Sequence, residues 1–249
     1  MASSKVPKIF SQRRRMAGSA RAKLLAQNPE AARWLVEEIE ADLIERLGFM
    51  RFAPKSALIV GLSSGKLESS LGSVGCKVTA KPSINEEAPI EGDPFDLIAS
   101  LNRLGTVNDL PGALIHMRSA LAPGGIAIAS FVGAGSLPKL RQIMLAADGE
   151  RPASRIHPQI DNQAGSALQE RAGFARHVVD SVSVKASYTS LEKLIADLRE
   201  QALTNVLADP PPPITKAGLA RARVEFDRLR DDQGRVTEVF EILTLTGWA

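Results

Sequence analysis

Apolar residues recur along the chain in two patterns, one typical of helices and the other of short buried strands. Apolar positions at three- and four-residue steps predict helices over 29–48, 66–71, 110–121, 137–147, 167–174, 191–203 and 215–230. Short apolar or alternating runs predict strands over 57–61, 76–80, 95–100, 126–131, 178–184 and 239–247. Because strands alternate with helices, we expect an α/β sheet whose crossover connections are helical.

Capping and turn residues place the ends of some of these elements. Asn28 is a candidate N-cap for the first of these helices and Gly48 its candidate end, while Thr215 is a candidate N-cap for the last. The four prolines at 210–213 predict a rigid connector. Ligands of α/β sheets bind at the carboxyl ends of strands, so we expect a site in the loops that follow residues 60, 80, 100 and 131.

The composition excludes several classes of protein. The single cysteine, Cys76, rules out an internal disulfide framework in this chain of 249 residues, which favours a reducing, cytoplasmic compartment. No apolar run is long enough to span a bilayer. Aromatic residues make up only 4% of the chain and do not interleave with basic ones, so no nucleic-acid partner is expected. The few histidines and the one cysteine have no spacing typical of a metal site.

The net charge of +3 conceals an asymmetry between the start of the chain and the rest. Residues 1–23 contain no acidic residue and seven basic ones, which are Lys5, Lys8, Arg13, Arg14, Arg15, Arg21 and Lys23. Three interpretations stay open from the residues alone: a mitochondrial transit peptide, an arm for an anionic partner, or a helix whose charges are solvated.

Three segments in this order and spacing resemble the class I S-adenosylmethionine-dependent methyltransferases. They are ValGlyLeuSerSerGly (60–65), PheAspLeuIle (95–98) and LeuAlaProGlyGlyIleAlaIleAlaSer (121–130). The segments 107–114, 130–141, 171–174 and 245–248 are similar to one branch of that family. This branch contains relatives of the bacterial biotin-synthesis methyltransferase and the mitochondrial complex I assembly factor, which hydroxylates an arginine. The resemblance runs from about Ile9 to Trp248.

The resemblance implies a Rossmann-like sheet with helices on both faces. Residues 1–50 are expected to form a basic N-terminal segment and leading helix, and residues 51–249 the methyltransferase-fold domain with a helical insertion at 189–235. The insertion is either a lid over the strand ends or a packed extension. Residues 9–15 resemble the basic start of mature members of the branch, which favours a bacterial, cytoplasmic protein over a mitochondrial one.

The nucleotide half departs from the pattern of an active methyltransferase. Ser63 stands at a glycine position, Ile59 at an acidic one, and Lys81 near the place of the carboxylate that holds the ribose. Only 24 residues separate Gly61 from Asn85, too few for a complete strand–helix–strand unit. We therefore expect one strand–helix unit to be lost, and with it the ribose-binding strand end. Lys81 could favour a phosphate-bearing ligand, although a solvated lysine is the simpler interpretation.

The resemblance nevertheless gives candidate site residues. Those for binding S-adenosylmethionine are Gly61, Ser63, Gly65, Asn85 and Asn102, and those for the substrate side are Asn108, His157 and Tyr188. Core packing is an equal alternative for Tyr188. No catalytic residue is assigned.

Two functional hypotheses follow. The first is an auxiliary or assembly-type protein that has lost methyl transfer and holds a protein partner. The second is an active S-adenosylmethionine-dependent methyltransferase or hydroxylase with a rearranged cofactor site.

Overall fold

The computed structural model describes residues 6–249, so Lys5 of the basic segment lies outside the described residues. The helices are α1 (Gln12–Leu25), α2 (Trp34–Phe49), α3 (Lys66–Ser73), α4 (Leu110–Ser119), α5 (Pro138–Asp148), α6 (Asn162–Ala172), α7 (Leu191–Glu200) and α8 (Lys216–Arg228). The strands are β1 (Ser56–Gly61), β2 (Lys77–Lys81), β3 (Phe95–Leu101), β4 (Leu121–Val132), β5 (Arg176–Tyr188) and β6 (Val236–Trp248). A short 3₁₀ helix, Leu104–Thr106, follows β3.

The strands form one sheet in the order β2-β1-β3-β4-β6-β5. The pairs among β1 to β4 are parallel, whereas β6 runs antiparallel to both β4 and β5. Alternate residues of β1 enter different cores, because Ala57 and Ile59 pack with α2 and α3, while Leu58 and Val60 pack with α4. The predicted α/β sheet with helices on both faces is confirmed.

Several predicted element boundaries are wrong: α6 and β4 each begin five residues before the predicted start, and two other helices differ for a local reason. The helix expected to start at Pro29 starts at Trp34, because Asn28 uses its side chain to accept a hydrogen bond from the Glu30 amide and forms a turn. The helix expected to reach residue 203 ends at Glu200, because Ala202 adopts the left-handed conformation, with φ of 57°. Thr215 is the N-cap of α8, as predicted, and accepts from the Gly218 amide at 3.0 Å.

One strand–helix unit is missing between β2 and β3, as the spacing predicts. Residues 82–94 contain neither a helix nor a strand, and β2 is an edge strand of the sheet. The expectation that the ribose-binding strand end is lost as well is wrong. Strand β2 is kept, pairs in parallel with β1, and ends at Lys81 next to Val60.

The insertion at 189–235 packs against the fold through an apolar cluster of its own. Leu191, Leu194 and Leu198 of α7 and Phe226 of α8 meet Ile143 of α5 in this cluster, together with residues of β5 and β6. Both insertion helices therefore have apolar faces buried against the sheet and α5. Within the described residues, no helix is long and apolar enough to cross a membrane.

Strand β6 lies between β4 and β5, and this position gives a test of the fold. Leu243 is 1% exposed and lies between Phe131 of β4 and Ser181 of β5, so Leu243→Ala should lower the free energy of unfolding by about 2–5 kcal/mol. Val182 on β5 is 47% exposed, so Val182→Ala should cost about 0.5 kcal/mol or less. Urea denaturation would measure both. An equal loss of unfolding free energy in both variants would contradict the assignment of Leu243 to a buried position on β6 and of Val182 to an exposed position on β5.

Candidate functional site

A cleft of about 410 Å³ lies at the carboxyl ends of β1, β2 and β3, where the sheet topology predicts a site. Gly61, Lys81 and Asn102 line it at these three strand ends. Residues of α1 and α2 form the opposite wall, and residues 200–202, just after α7, contribute to the rim. We call this space the first cleft.

The turn after β1 has the backbone shape expected of a ligand-binding turn. Gly61 has φ of 132°, and a Cβ atom at this position would overlap the carbonyl oxygen of Leu101 on β3. Gly65 has φ of 91° and begins α3. The predicted residues Gly61 and Ser63 both line the first cleft, whereas Gly65 lies just behind its lining as the N-cap of α3.

A carboxylate of the protein itself accepts hydrogen bonds from the polar groups of this turn. Glu40 of α2 is completely buried and accepts hydrogen bonds from Ser63 Oγ (2.6 Å), Ser64 N (2.9 Å) and Lys66 N (3.2 Å), and also from Ser64 Oγ. The backbone N–H groups at the start of a helix are the groups that hold anions. Glu40 therefore takes donors that a ligand carboxylate would otherwise bind.

The end of β2 carries a positive charge where a nucleoside site needs a carboxylate. Lys81 is exposed and lines the first cleft. The next acidic residue along the chain is Glu86, which is buried. Its Oε1 lies 2.8 Å from Arg103 Nε and 3.3 Å from Arg15 Nη2, so this carboxylate is committed to two guanidinium groups.

Arg15 and Arg103 connect α1 to the end of β3. Arg15 Nε donates to Thr106 Oγ1 at 3.0 Å, and Arg103 Nη1 donates to Ser19 Oγ on α1 at 2.9 Å. Burial lowers the pKa of Arg15, and the charge of Glu86 opposes this effect. The N-terminal basic segment is therefore not merely solvated, because one of its arginines is buried in an ion-pair group beside the cleft.

A second cleft of about 220 Å³ adjoins the first and is mostly apolar. The two share Asn102, Thr106 and Ala202. Asn102, Leu137 and Ala202 all line the second cleft and have positive φ values of 51°, 59° and 57°. Left-handed backbone in residues other than glycine is unfavourable and is concentrated at functional sites, which makes the second cleft a candidate site as well.

His157 lines the second cleft, on the side where it was predicted to face a substrate. Its Nε2 accepts a hydrogen bond from the Val206 amide at 2.6 Å, and its ring packs edge-on against Phe10 with centroids 5.5 Å apart. Burial, and to a smaller extent the charge of Arg14, lowers the pKa of His157 to about 4. At neutral pH the ring is uncharged, with its Nε2 lone pair already used.

Three other predicted residues lie outside both clefts. Asn85 is exposed and accepts a hydrogen bond from the Glu87 amide within its own turn. Asn108 binds the backbone of Phe10 twice, accepting from N at 2.7 Å and donating to O at 3.1 Å. Tyr188 is buried and donates to Asp197, which agrees with the core-packing alternative. The structure does not bring these side chains to the strand ends.

Sequence reasoning missed Glu40 and the ion-pair role of Arg15. A signal for Glu40 exists, because it stands between Val36 and Leu43 at the steps of the apolar face of α2. An acidic residue on such a face needs a partner in the core. For Arg15 no local signal exists, since neighbouring arginines 13 and 14 are exposed.

No protein-family model matches the chain. Among curated proteins, it is 30% identical to mouse arginine-hydroxylase NDUFAF5, mitochondrial, over 66% of this chain and 49% of that protein. It is also 30% identical to malonyl-(acyl-carrier protein) O-methyltransferase of Xylella fastidiosa, over 65% of this chain and 54% of that enzyme. The chain thus spans about half the length of these relatives.

The solved structures support the fold. A crystal structure of a Bacillus halodurans protein thought to be a methyltransferase superposes with a TM-score of 0.52 and 10% identity, over 82% of this chain and 97% of that one. The likeness shows that the two chains share a fold.

The burial of Glu40 leads to a stability prediction. In Glu40→Gln an amide group replaces one acceptor oxygen and faces N–H and O–H donors, so the free energy of unfolding should fall by about 2 kcal/mol. Glu38 is exposed on the same helix, and Glu38→Gln should change stability by about 0.5 kcal/mol or less. Denaturant unfolding of both variants measures the difference. An unchanged midpoint for Glu40→Gln would show that this carboxylate does not hold the turn.

The lowered pKa of His157 predicts a pH dependence of stability. Between pH 6.5 and about 4 the unfolded chain binds a proton at His157 that the folded chain does not. The contribution of His157 to the free energy of unfolding is therefore at its full value above pH 6.5 and declines as the pH falls toward 4. His157→Gln keeps an acceptor but does not titrate in this range. The stability of wild type relative to His157→Gln should therefore drop by roughly 3 kcal/mol from pH 7 to pH 4. Parallel curves from thermal or urea unfolding at several pH values would contradict this.

Proposed function

We propose that this chain, which has the class I methyltransferase fold and is a relative of NDUFAF5 and of malonyl-(acyl-carrier protein) O-methyltransferase, acts by binding and not by methyl transfer. Its role would be that of an auxiliary or assembly-type protein. The observation that carries the proposal is the buried Glu40 carboxylate, which takes the polar groups of the turn after β1.

The residues of the first cleft do not suit S-adenosylmethionine. Its ribose needs a carboxylate at the end of β2, where this chain has Lys81. Its methionyl carboxylate needs free N–H donors at the turn, where Glu40 already accepts from Ser64 and Lys66. Its sulfonium is a cation, and the cleft is lined by Lys23, Lys81, Arg15, Arg33 and Arg103 against Glu68 and Glu200. No catalytic step is therefore derived through this cofactor.

The partner in this proposal is a protein. Support comes from α1, which is held to the strand ends by buried Arg15 while its outer face stays exposed. That face combines the exposed apolar residues Met16 (58% exposed) and Leu24 (63%) with the exposed Arg13. A rigidly held helix with mixed apolar and basic residues is suited to contact another protein. A cytoplasmic location, expected from the cysteine usage, is part of the same proposal.

An alternative is an active S-adenosylmethionine-dependent enzyme with a rearranged site. The observation in its favour is that Gly61, Ser63 and Asn102 still converge on one cleft at the strand ends. In this case the cofactor would bind in a mode that does not use the start of α3.

Calorimetry separates the two. With S-adenosylmethionine and S-adenosylhomocysteine as titrants, we expect no binding heat up to about 1 mM ligand. Any binding free energy is then weaker than about −4 kcal/mol. Mass spectrometry of small molecules released from the purified chain should detect neither compound. A methyltransferase that binds S-adenosylhomocysteine, titrated in the same buffer, controls for ligand quality.

A micromolar dissociation constant would overturn the proposal and support the alternative. In that event Asn102→Ala should weaken the binding, because Asn102 lines the cleft, whereas Val182→Ala on the far edge of the sheet should not.

A further inference from the structure

The two clefts share Thr106, and Arg15, which forms an ion-pair group with Glu86 and Arg103, donates a hydrogen bond to this residue. We propose that the two clefts together bind a small amphiphilic anion, with its carboxylate or phosphate head beside Arg15 in the first cleft and its apolar chain in the second. This site needs no cofactor and is separate from the binding role proposed above.

The position of the head follows from Arg15. Its Nε donates to Thr106 Oγ1, and Thr106 lines both clefts, so the guanidinium lies where they join. Two guanidinium groups share the single carboxylate of Glu86, both through Oε1, so these three side chains together carry a net charge of +1. Arg15 Nε and Nη2 are engaged by Thr106, the Arg103 carbonyl and Glu86, so an anionic head would meet Arg15 through Nη1 and through its charge.

Arg33 adds an independent observation on the same cleft. Its Nε is buried and has no hydrogen-bond partner among the described residues, although the side chain lines the first cleft. Its Nη2 donates only to backbone carbonyls of Ala26 and Asn28, which carry no full charge. A buried charged donor without an acceptor is costly, and an anionic head in the cleft would offset this cost through its charge.

The second cleft has the lining that an apolar chain requires. Its walls are the side chains of Leu137, Leu140, Met144, Ile195, Leu203 and Leu219, among others. The one guanidinium in its wall, Arg155, is neutralised by Asp148 at 2.5 Å. An apolar pocket without net charge, opening onto a cationic junction, complements an amphiphile of negative charge and disfavours one of positive charge.

The test is calorimetry on the full chain with octyl phosphate and octanoate as probes, each below its micelle concentration. We expect at least one to bind, with affinity rising about three- to fourfold per methylene from the butyl to the octyl compound. Added salt should weaken the binding. The two anions distinguish a phosphate from a carboxylate head.

Matched probes separate this site from simpler ones. Octanol and octyltrimethylammonium should bind at least tenfold more weakly than the better anion. Inorganic phosphate should show no comparable affinity. If octanol binds as tightly as the anions, the anionic head has no role in binding. If inorganic phosphate binds as tightly as octyl phosphate, the alkyl group has no role. Either result overturns the proposal.

Variants test the two ends of the site. Ile195→Phe narrows the second cleft and should lower the affinity for the octyl anion at least tenfold, whereas Ile115→Phe, at an exposed position of α4, should leave it unchanged. Arg15→Gln should lower it similarly, with partial recovery in Arg15→Lys. If Arg15→Gln fails to fold, Ile195→Phe and the salt dependence still decide, and unchanged binding in Ile195→Phe contradicts the proposal. Because none of these probes is a nucleoside, their failure would leave the question of S-adenosylmethionine untouched.

Discussion

The short path of residues 82–94 is the constraint on which the site depends. Strands β2 and β3 lie on opposite sides of β1 and run parallel to it, so the chain must cross β1 between them. Parallel strands need a connection of about a dozen residues or more, and this one is near the minimum, without room for a helix and a further strand. Ile84 and Ile90 therefore cover this face of the sheet in place of a helix, packing beside Val60 and Ile98.

This crossing brings Glu86 into the interior, and the buried charge determines what surrounds it. An unpaired carboxylate at such a position would be strongly unfavourable. Arg103 lies just after β3 and pairs with it, and Arg15 of α1 supplies a second guanidinium. The basic start of the chain is thus joined to the strand ends by this ion-pair group. Asn108, which binds the Phe10 backbone, holds the residues that precede α1 in the same place.

What the sequence predicts well is what depends on local spacing. Gly61 and Asn102, which the resemblance gives as candidates, also follow from spacing, because each lies at the end of a predicted buried strand, at the edge of the sheet where ligands bind. Asn85, Asn108 and Tyr188 also come from the resemblance, and each makes a hydrogen bond elsewhere and lies outside both clefts. Asn108 binds Phe10, which lies 98 residues earlier, and Glu40 binds the turn 24 residues later, and periodicity carries no information about contacts over such separations.

The charged side chains around the strand ends together determine which ligand charge the first cleft favours. Glu40 accepts from amides at the start of α3, which leaves fewer donors there for an anion, and the charge of Lys81 at the end of β2 disfavours a sulfonium. The guanidinium groups of Arg15, Arg33 and Arg103 line the first cleft away from the turn. Arg15 reaches the junction with the apolar cleft through its hydrogen bond to Thr106. If the chain acts as proposed, its ligand lies not at the glycine turn but on the far side of Asn102, although the same strands form the cleft. Loss of cofactor chemistry and retention of a binding cleft are compatible, because the sheet sets the shape of the cleft whereas a few side chains set its charge.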